Sequence, residues 1–350
     1  MKPVAFRWLC AAGFFFDFYP LCSILLYIMQ TTEESPTADE ISKLEKEKKA
    51  ILKKKRHLVA KNMSIGIVGY GYVGKATSLL GCENVRVLIH DVREIKDEDF
   101  TGSNSIYCPD ISDLKNANLI FVSVPTPMEK NGRCHTGIVE SVIQKLKDNV
   151  GDTPIIVRST VPVGFCKEHG VNFMPEFLTE KNWVEDVKQS KDWVVGTYDP
   201  NNLDFKEKVI LLLKLAFKNE RLSNPPVVHF APSDVAEMCK DMKNCFLATK
   251  VSFFNELEEF CRKKGVSYDL VRELVCLDDR VSESHTMVPG PDGKRGFGGT
   301  CFPKDMEALL TQMIDAGMTS YIIDAAITRN LEVDRPERDW EGDKGRAVVE

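Results

Sequence analysis

Ile65-Gly66-Ile67-Val68-Gly69-Tyr70-Gly71-Tyr72-Val73-Gly74 begins as a short apolar run and breaks into glycines spaced as Gly-x-Gly-x-x-Gly. A strand, this glycine pattern and a following helix form the arrangement that binds a dinucleotide pyrophosphate. The first glycine permits the tight turn, the second lets backbone approach the phosphates, and the third allows close helix–strand packing. The helix that opens here stops at Gly81, and its N-terminus offers free N–H groups and a positive dipole end to the phosphates. The next apolar run, Val85–Ile89, leads into His90-Asp91, and Asp91 lies 22 positions after Gly69. A carboxylate there accepts both ribose hydroxyls and repels a 2′-phosphate, which predicts NAD over NADP; Arg93 nearby pulls the other way. Gly69, Gly71, Tyr72, Val73, Gly74 and Asp91 are therefore the expected dinucleotide contacts.

Outward from this motif, apolar runs recur at Leu119–Val124, Ile155–Val157, Val194–Gly196 and Val227–Phe230. Helical periodicity lies between several of them, at Val73–Leu80, Ile138–Leu146 and Asp204–Phe217. The alternation predicts an α/β fold, a Rossmann-type doubly wound parallel sheet over residues 63–231 with helices on both faces. Strand signals end near Pro232. Ser233 reads as an N-cap, and helical pattern continues to Lys264 with no proline or glycine, about 45 Å of helix. Residues 232–335 are expected to form an all-helical domain on that rod, and 336–350 a polar tail.

The 350 residues allow about two domains. With 43% hydrophobic and 28% charged residues, the composition excludes a disordered, collagen-like or multi-span membrane chain. A net charge of -6 provides no basic field for nucleic acid. Eleven cysteines occur without CxxC pairs or zinc-ligand spacing, which predicts neither disulfides nor a metal site, and a reducing, cytoplasmic location. Residues 1–62 differ from the rest. Trp8 to Met29 has the length of one membrane span, interrupted by Asp17 and Pro20, and a charged helical linker follows. A membrane anchor at residues 8–29, a removable targeting segment and an extension without a physical role all fit that composition.

The second unusual segment is Gly296-Phe297-Gly298-Gly299-Thr300-Cys301-Phe302-Pro303-Lys304-Asp305. Its glycines are expected to let a ligand come close to the backbone. Cys301 begins a helical pattern, so the dipole and Lys304 should both favour its thiolate. Asp305, one turn on, is placed to hold a water or accept a proton. Thiolate addition to an aldehyde gives a thiohemiacetal that can release hydride to NAD, and water then frees an acid. Lys240 and Asn244 share a helix face and could stabilise an oxyanion, or simply face solvent. Glu176 and Glu180 follow a strand end as either proton carriers or solvated carboxylates. Thr126, Ser159 and Thr160 sit at strand C-termini, where hydroxyls either touch ligand or cap turns.

Taken together, GYGYVG at 69–74, VPTP at 124–127, STVPVG at 159–164, PEFLTE at 175–180, KDMKN at 240–244 and GFGGTCFPKD at 296–305 resemble the UDP-glucose 6-dehydrogenase family in order and spacing. The resemblance runs from about Met63 onward and implies oxidation of UDP-glucose to UDP-glucuronate with two NAD per turnover. It implies Cys301 as nucleophile, Asp305 as water holder or base, and Lys240 and Asn244 as oxyanion donors. Thr126, Glu176 and Glu180 would organise water and protons. Pro125, Thr126, Ser159, Thr160 and Lys304 would join the NAD contacts. Phe177, Leu178 and Gly298 would join Lys240 and Asn244 around the substrate, and Arg280 would reach the sugar nucleotide across a homodimer built on the long helix. The chain departs from the family pattern in two places. The family commonly continues into a third α/β domain that holds UDP, whereas this chain ends at Glu350, and Met174 replaces a common Asn. A GDP-mannose or other nucleotide-sugar 6-dehydrogenase, a single-step 3-hydroxyacid dehydrogenase and a non-catalytic nucleotide-sugar binder are the competing expectations.

Overall fold

The computed structural model describes residues 63–179 and 181–349. Residues 1–62, with the apolar stretch at 8–29 and its charged linker, lie outside the described residues, as does Glu180. Among the described residues, no helix is long and apolar enough to cross a membrane.

Among the described residues, eight strands form one sheet. They are β1 (Met63–Val68), β2 (Val85–His90), β3 (Ser105–Tyr107), β4 (Leu119–Val122), β5 (Ile155–Val157), β6 (Asn172–Phe173), β7 (Asp192–Thr197) and β8 (Val227–Pro232). Their order is β3-β2-β1-β4-β5-β6-β7-β8. The first six are parallel, with Ile65 opposite both Val87 and Leu119. β4 is buried at every position, as expected of a strand covered on both faces. Helices α1 (Tyr72–Ser78), α2 (Gly137–Val150), α3 (Phe165–Glu168), α4 (Trp183–Gln189) and α5 (Leu203–Lys218) supply that cover. One apolar layer joins Ile65, Ile67 and Phe121 to Phe205 and Leu212 of α5; the other joins Ile120 and Val122 to Ile143 and Leu146 of α2.

The sheet is the expected doubly wound parallel one except along one edge. Phe173 pairs with Gly196 in antiparallel sense, so β7 and β8, parallel to each other, run against the first six strands. An antiparallel neighbour needs no full crossover helix, and only the short α4 lies between β6 and β7. β3 and β6, three and two residues long, carry too little pattern to be read from sequence.

The helices after β8 are α6 (Ser233–Lys264), α7 (Tyr268–Val275), α8 (Phe302–Asp315) and α9 (Ile322–Arg329). Ser233 is not the cap: Pro232 occupies that place, and the Ser233 hydroxyl is buried without a hydrogen-bond partner. α6, with 32 residues, is about 48 Å long. Its inward face packs Cys245 and Ala248 against Met306 and Leu309 of α8 and Ala326 and Ile327 of α9. Its outward face leaves Met238, Met242, Phe246, Phe253, Leu257 and Phe260 exposed in a continuous ridge.

The polar tail is better ordered than its composition suggests. Trp340 is buried, Met128 donates its N–H to Ala347 O at 2.9 Å, and Val349 donates back to Met128 O at 2.9 Å. The tail is thereby pinned to the loop after β4.

Candidate active site

A groove of about 790 Å³ runs along the C-terminal ends of the central strands, from Asp91 at one end to Cys301 and Glu176 at the other. Gly69, Gly71, Tyr72, Val73, Pro125, Thr126, Ser159, Thr160 and Lys304 all line it. Gly69 has φ +89°, and a Cβ there would sit 2.7 Å from Ser123 O, so only glycine makes this turn. A Cβ at Gly71 would meet nothing within 4 Å, which leaves the loop open on its ligand side. Gly74 is not among the lining residues; a Cβ there would lie 2.1 Å from Gly69 O, so its role is helix packing. Asp91 accepts from Tyr70 N–H at 2.7 Å and from Arg93 N–H and Nε at 2.9 and 3.1 Å. Burial opposes its charge, but Arg93 and the backbone donors outweigh it and hold the carboxyl below its ordinary value. An open glycine loop at a helix N-terminus and a committed carboxylate next to β2 fit a dinucleotide's pyrophosphate and ribose. The three strand-end hydroxyls divide. Ser159 donates to Val124 O at 2.6 Å and ties the loop after β5 to the loop after β4, Thr160 accepts from Lys304 Nζ at 2.8 Å, and Thr126 is buried in the groove.

At the far end, α6 and α8 bring three residues onto one buried carboxylate. Asp305, fully buried, accepts from Lys240 Nζ at 2.8 Å, Asn244 Nδ2 at 2.7 Å and Lys304 Nζ at 2.6 Å. Lys240 is 1% exposed, the reverse of a solvated helix lysine, and its Nζ also lies 3.9 Å from Glu176. Burial works against both ammonium groups, but Asp305 outweighs it and keeps Lys240 and Lys304 above their ordinary pKa. Asp305 itself is driven well below the usual carboxylate range: burial opposes, and the two lysines prevail. It is therefore an anion that orders the cations, and of its two expected roles, holding a water or accepting a proton, its low basicity favours the first. Glu176 behaves in the opposite way. Burial raises its carboxyl, only partly offset by Lys240, which makes it the readily protonated acid of the group.

Cys301 sits immediately before α8, as its sequence context implied. The expected thiolate is not what its surroundings favour. Burial pushes the thiol up, Glu176 adds to the rise, and Lys304 offsets it only in part because Thr160 and Asp305 already hold that ammonium. The glycine rationale also changes. A Cβ at Gly298 would meet the Arg335 guanidinium at 2.4 Å, and one at Gly296 would meet Asn330 Oδ1 at 2.2 Å. The close neighbours are the protein's own side chains, and Gly299 alone of the three faces open space.

Phe177 and Leu178 follow Glu176; Leu178 N–H donates to Glu176 at 3.3 Å, and the Phe177 ring lies 4.2 Å from Lys243 Nζ. Arg280 is not brought to this groove: its side chain is 89% exposed and pairs with Asp278. Among the other cysteines, Cys245 is buried, whereas Cys261 and Cys276 are only half-buried, and all nine within the described residues are free. Among the described residues, no cluster of His, Cys, Asp or Glu is arranged for a metal.

Sequence reasoning overlooked Arg158, Asp241 and Arg346. Arg158 directly follows the buried strand β5 and is 4% exposed; an arginine abutting so apolar a strand was the available signal. Burial lowers it to about 10. Asp241, beside Lys240, is pushed up to about 7 by burial and by Asp305. Arg346 reaches the groove because of the tail pairing.

The sheet, the glycine loop and the ribose carboxylate define a Rossmann-type dinucleotide-binding protein with a cysteine at the end of its cofactor groove. The chain belongs to the UDP-glucose/GDP-mannose dehydrogenase family. Residues 108–211 match that family's NAD binding domain and residues 234–332 its central domain, so the dinucleotide is NAD. It is 30% identical to a UDP-glucose 6-dehydrogenase of Rickettsia bellii over 308 residues, covering 77% of this chain and 67% of the relative. It is 29% identical to the UDP-glucose 6-dehydrogenase TuaD of Bacillus subtilis, covering 76% and 62%. The fold is similar to a UDP-glucose dehydrogenase structure from Pyrobaculum islandicum, with TM-score 0.64, 24% identity and coverage of 77% and 68%. The chain thus spans about two thirds of the length of the relatives it matches.

Proposed function

We propose that this protein oxidises UDP-glucose to UDP-glucuronate in two two-electron steps, with Cys301 as covalent nucleophile. The supporting observation is the position of the Cys301 sulfur. It lies where the dinucleotide groove meets the Lys240–Asn244–Asp305–Lys304 constellation. The groove from Asp91 to Lys304 would hold NAD, which would supply the hydride acceptor, one molecule for each oxidation in turn.

The C6 alcohol first becomes an aldehyde: its hydride goes to the first NAD, and its hydroxyl proton passes through Glu176 to solvent, leaving that carboxylate free for the next step. Cys301 sulfur then bonds to C6, and its proton passes to Glu176, the carboxyl that burial has made basic. Lys240 has three N–H donors and gives one to Asp305, so it can hold the C6 oxyanion together with Asn244. Loss of the second hydride turns the thiohemiacetal into a thioester. Water adds to that carbonyl, the C6–S bond breaks, the sulfur takes back the proton stored on Glu176, and the two water protons pass to solvent as the carboxylate forms. Thr126 and Glu180 belong to the water-ordering set that the family resemblance implies, and Asp305 keeps the cations in register throughout. Phe177, Leu178 and Gly298 are assigned to the substrate by the family resemblance.

The ridge of α6 supports a homodimer, since six large apolar side chains on one face exceed what a monomer usually leaves wet. In that assembly Arg280, exposed beside Leu277, extends toward the partner's substrate. Residues 63–231 are read as the cofactor domain and 232–335 as the helical domain.

The decisive assay is the NADH yield of the full chain with UDP-glucose, GDP-mannose and UDP-N-acetyl sugars side by side. Two NADH per UDP-glucose are expected, with acid formation abolished in Cys301→Ser. One NADH per substrate and an unaffected serine variant would support a single-step hydroxyacid dehydrogenase instead. NAD binding without turnover on any sugar would support a non-catalytic binder.

A further inference from the structure

Tyr72 belongs to the glycine loop at the start of α1, yet its hydroxyl lies 3.5 Å from Cys301 Sγ, across 229 residues of chain. The only other hydroxyl recorded at that sulfur among the described residues is Thr300 Oγ1, at 3.8 Å. The site presents the nucleophile with a difficulty. Burial and Glu176 disfavour the charged sulfur, and the cation that favours it most, Lys304, is divided between Thr160 and Asp305. A neutral donor aimed at the sulfur meets that need without a second buried charge. A hydroxyl bonds a thiolate more strongly than a thiol, because hydrogen bonds to ionised acceptors are about twice as strong.

Arg158 supports the same assignment independently. It is 4% exposed, donates from Nη1 to Thr77 Oγ1 at 2.9 Å, and has an Nε without a hydrogen-bond partner. It lines the groove, and its charge acts on Tyr72 as well as Glu176. A cation near a phenol makes its O–H a stronger donor.

We propose that Tyr72 is a catalytic residue of the thiol step: its hydroxyl donates to Cys301 sulfur and stabilises the thiolate, with Arg158 polarising the phenol. The assignment rests on Cys301 being the nucleophile and adds to Tyr72 a role beyond contact with the dinucleotide. One side chain of the cofactor loop thus also serves the reacting atom.

The test titrates the sulfur directly and needs neither cofactor nor sugar. Iodoacetamide alkylation of Cys301 is followed across pH by peptide mapping in full-length wild type and Tyr72→Phe, with Cys301→Ser as blank. The phenylalanine variant should raise the alkylation midpoint by about one pH unit, an alkylation about tenfold slower at pH 7. An unchanged or lowered midpoint in a folded Tyr72→Phe protein overturns the proposal. A second measurement places 3-fluorotyrosine at position 72, whose more acidic phenol is a better donor. Below its own ionisation, the midpoint should fall; a midpoint that stays or rises also overturns the proposal, even if the phenylalanine variant does not fold. Failure of the underlying nucleophile appears separately, as acid formation that survives in Cys301→Ser.

Discussion

Asp305→Asn preserves shape and removes one charge, which makes it a sharp probe of the buried constellation. The wild-type carboxylate is fully buried and faces Lys240, itself 1% exposed, and Lys304, whose side chain is 12% exposed. Neutralising one partner of a buried ion pair costs about 3–5 kcal/mol, because an uncompensated charge remains. Here two ammonium groups lose the same anion, which argues for the upper part of that range. The amide oxygen still accepts one hydrogen bond, offsetting about 1 kcal/mol. A loss of about 4 kcal/mol at pH 7 is expected, read from urea unfolding of the full chain by circular dichroism. The pH dependence has a definite sign. In wild type, the raised lysine pKa values stabilise below about 10.4, a contribution lost as pH rises beyond it. The depressed Asp305 stabilises above about 3.9, a contribution lost in acid as pH falls toward its folded value. In the variant the buried lysines shed protons more easily folded than unfolded, so its stability climbs between pH 7 and about 10 and the gap to wild type narrows. A gap below about 1 kcal/mol, or one that does not change over that interval, would refute the reasoning.

Other perturbations test separate parts of the molecule. Gly69→Ala forces a Cβ to 2.7 Å from Ser123 O at φ +89°, and NAD affinity by fluorescence titration should fall at least about tenfold. Asp91→Ser releases Arg93 and removes the ribose acceptor; the ratio of NAD to NADP affinity should shift toward NADP by roughly tenfold or more. Phe246→Glu with Phe253→Glu places two charges in the exposed ridge of α6, and light scattering should then report monomer where wild type gives dimer. Asp241→Asn removes an acid whose folded value is about 7. Because the charged form is penalised by burial, the variant should gain on wild type by about 2–4 kcal/mol as pH rises from about 4 to about 7, measured by thermal or urea unfolding.

Much of the cofactor half was legible because local chemistry decides it. A glycine at φ +89°, an apolar strand before it and an acid after the next strand are all encoded within thirty residues. The reversal of β7 and β8 was not legible, since a strand looks the same in either direction and β6 is only two residues long. At the reacting end, residue types were readable but their electrical states were not. Whether Asp305 gives up or keeps its proton depends on two lysines arriving from α6 and α8, and those helices are set together by packing. The glycines before Cys301 illustrate the same limit: their tight neighbours, Asn330 and Arg335, come from residues about 35 positions later.

Lys240 and Asn244 face the buried carboxylate from the same uninterrupted rod whose opposite side carries Met242 and Phe246. A stiff cylinder cannot be re-aimed on one side while staying put on the other. Surface engineering of that ridge, for solubility or crystallisation, therefore acts on the lysine's alignment as well, and each such variant calls for fresh kinetics before its coordinates are used to describe the native enzyme.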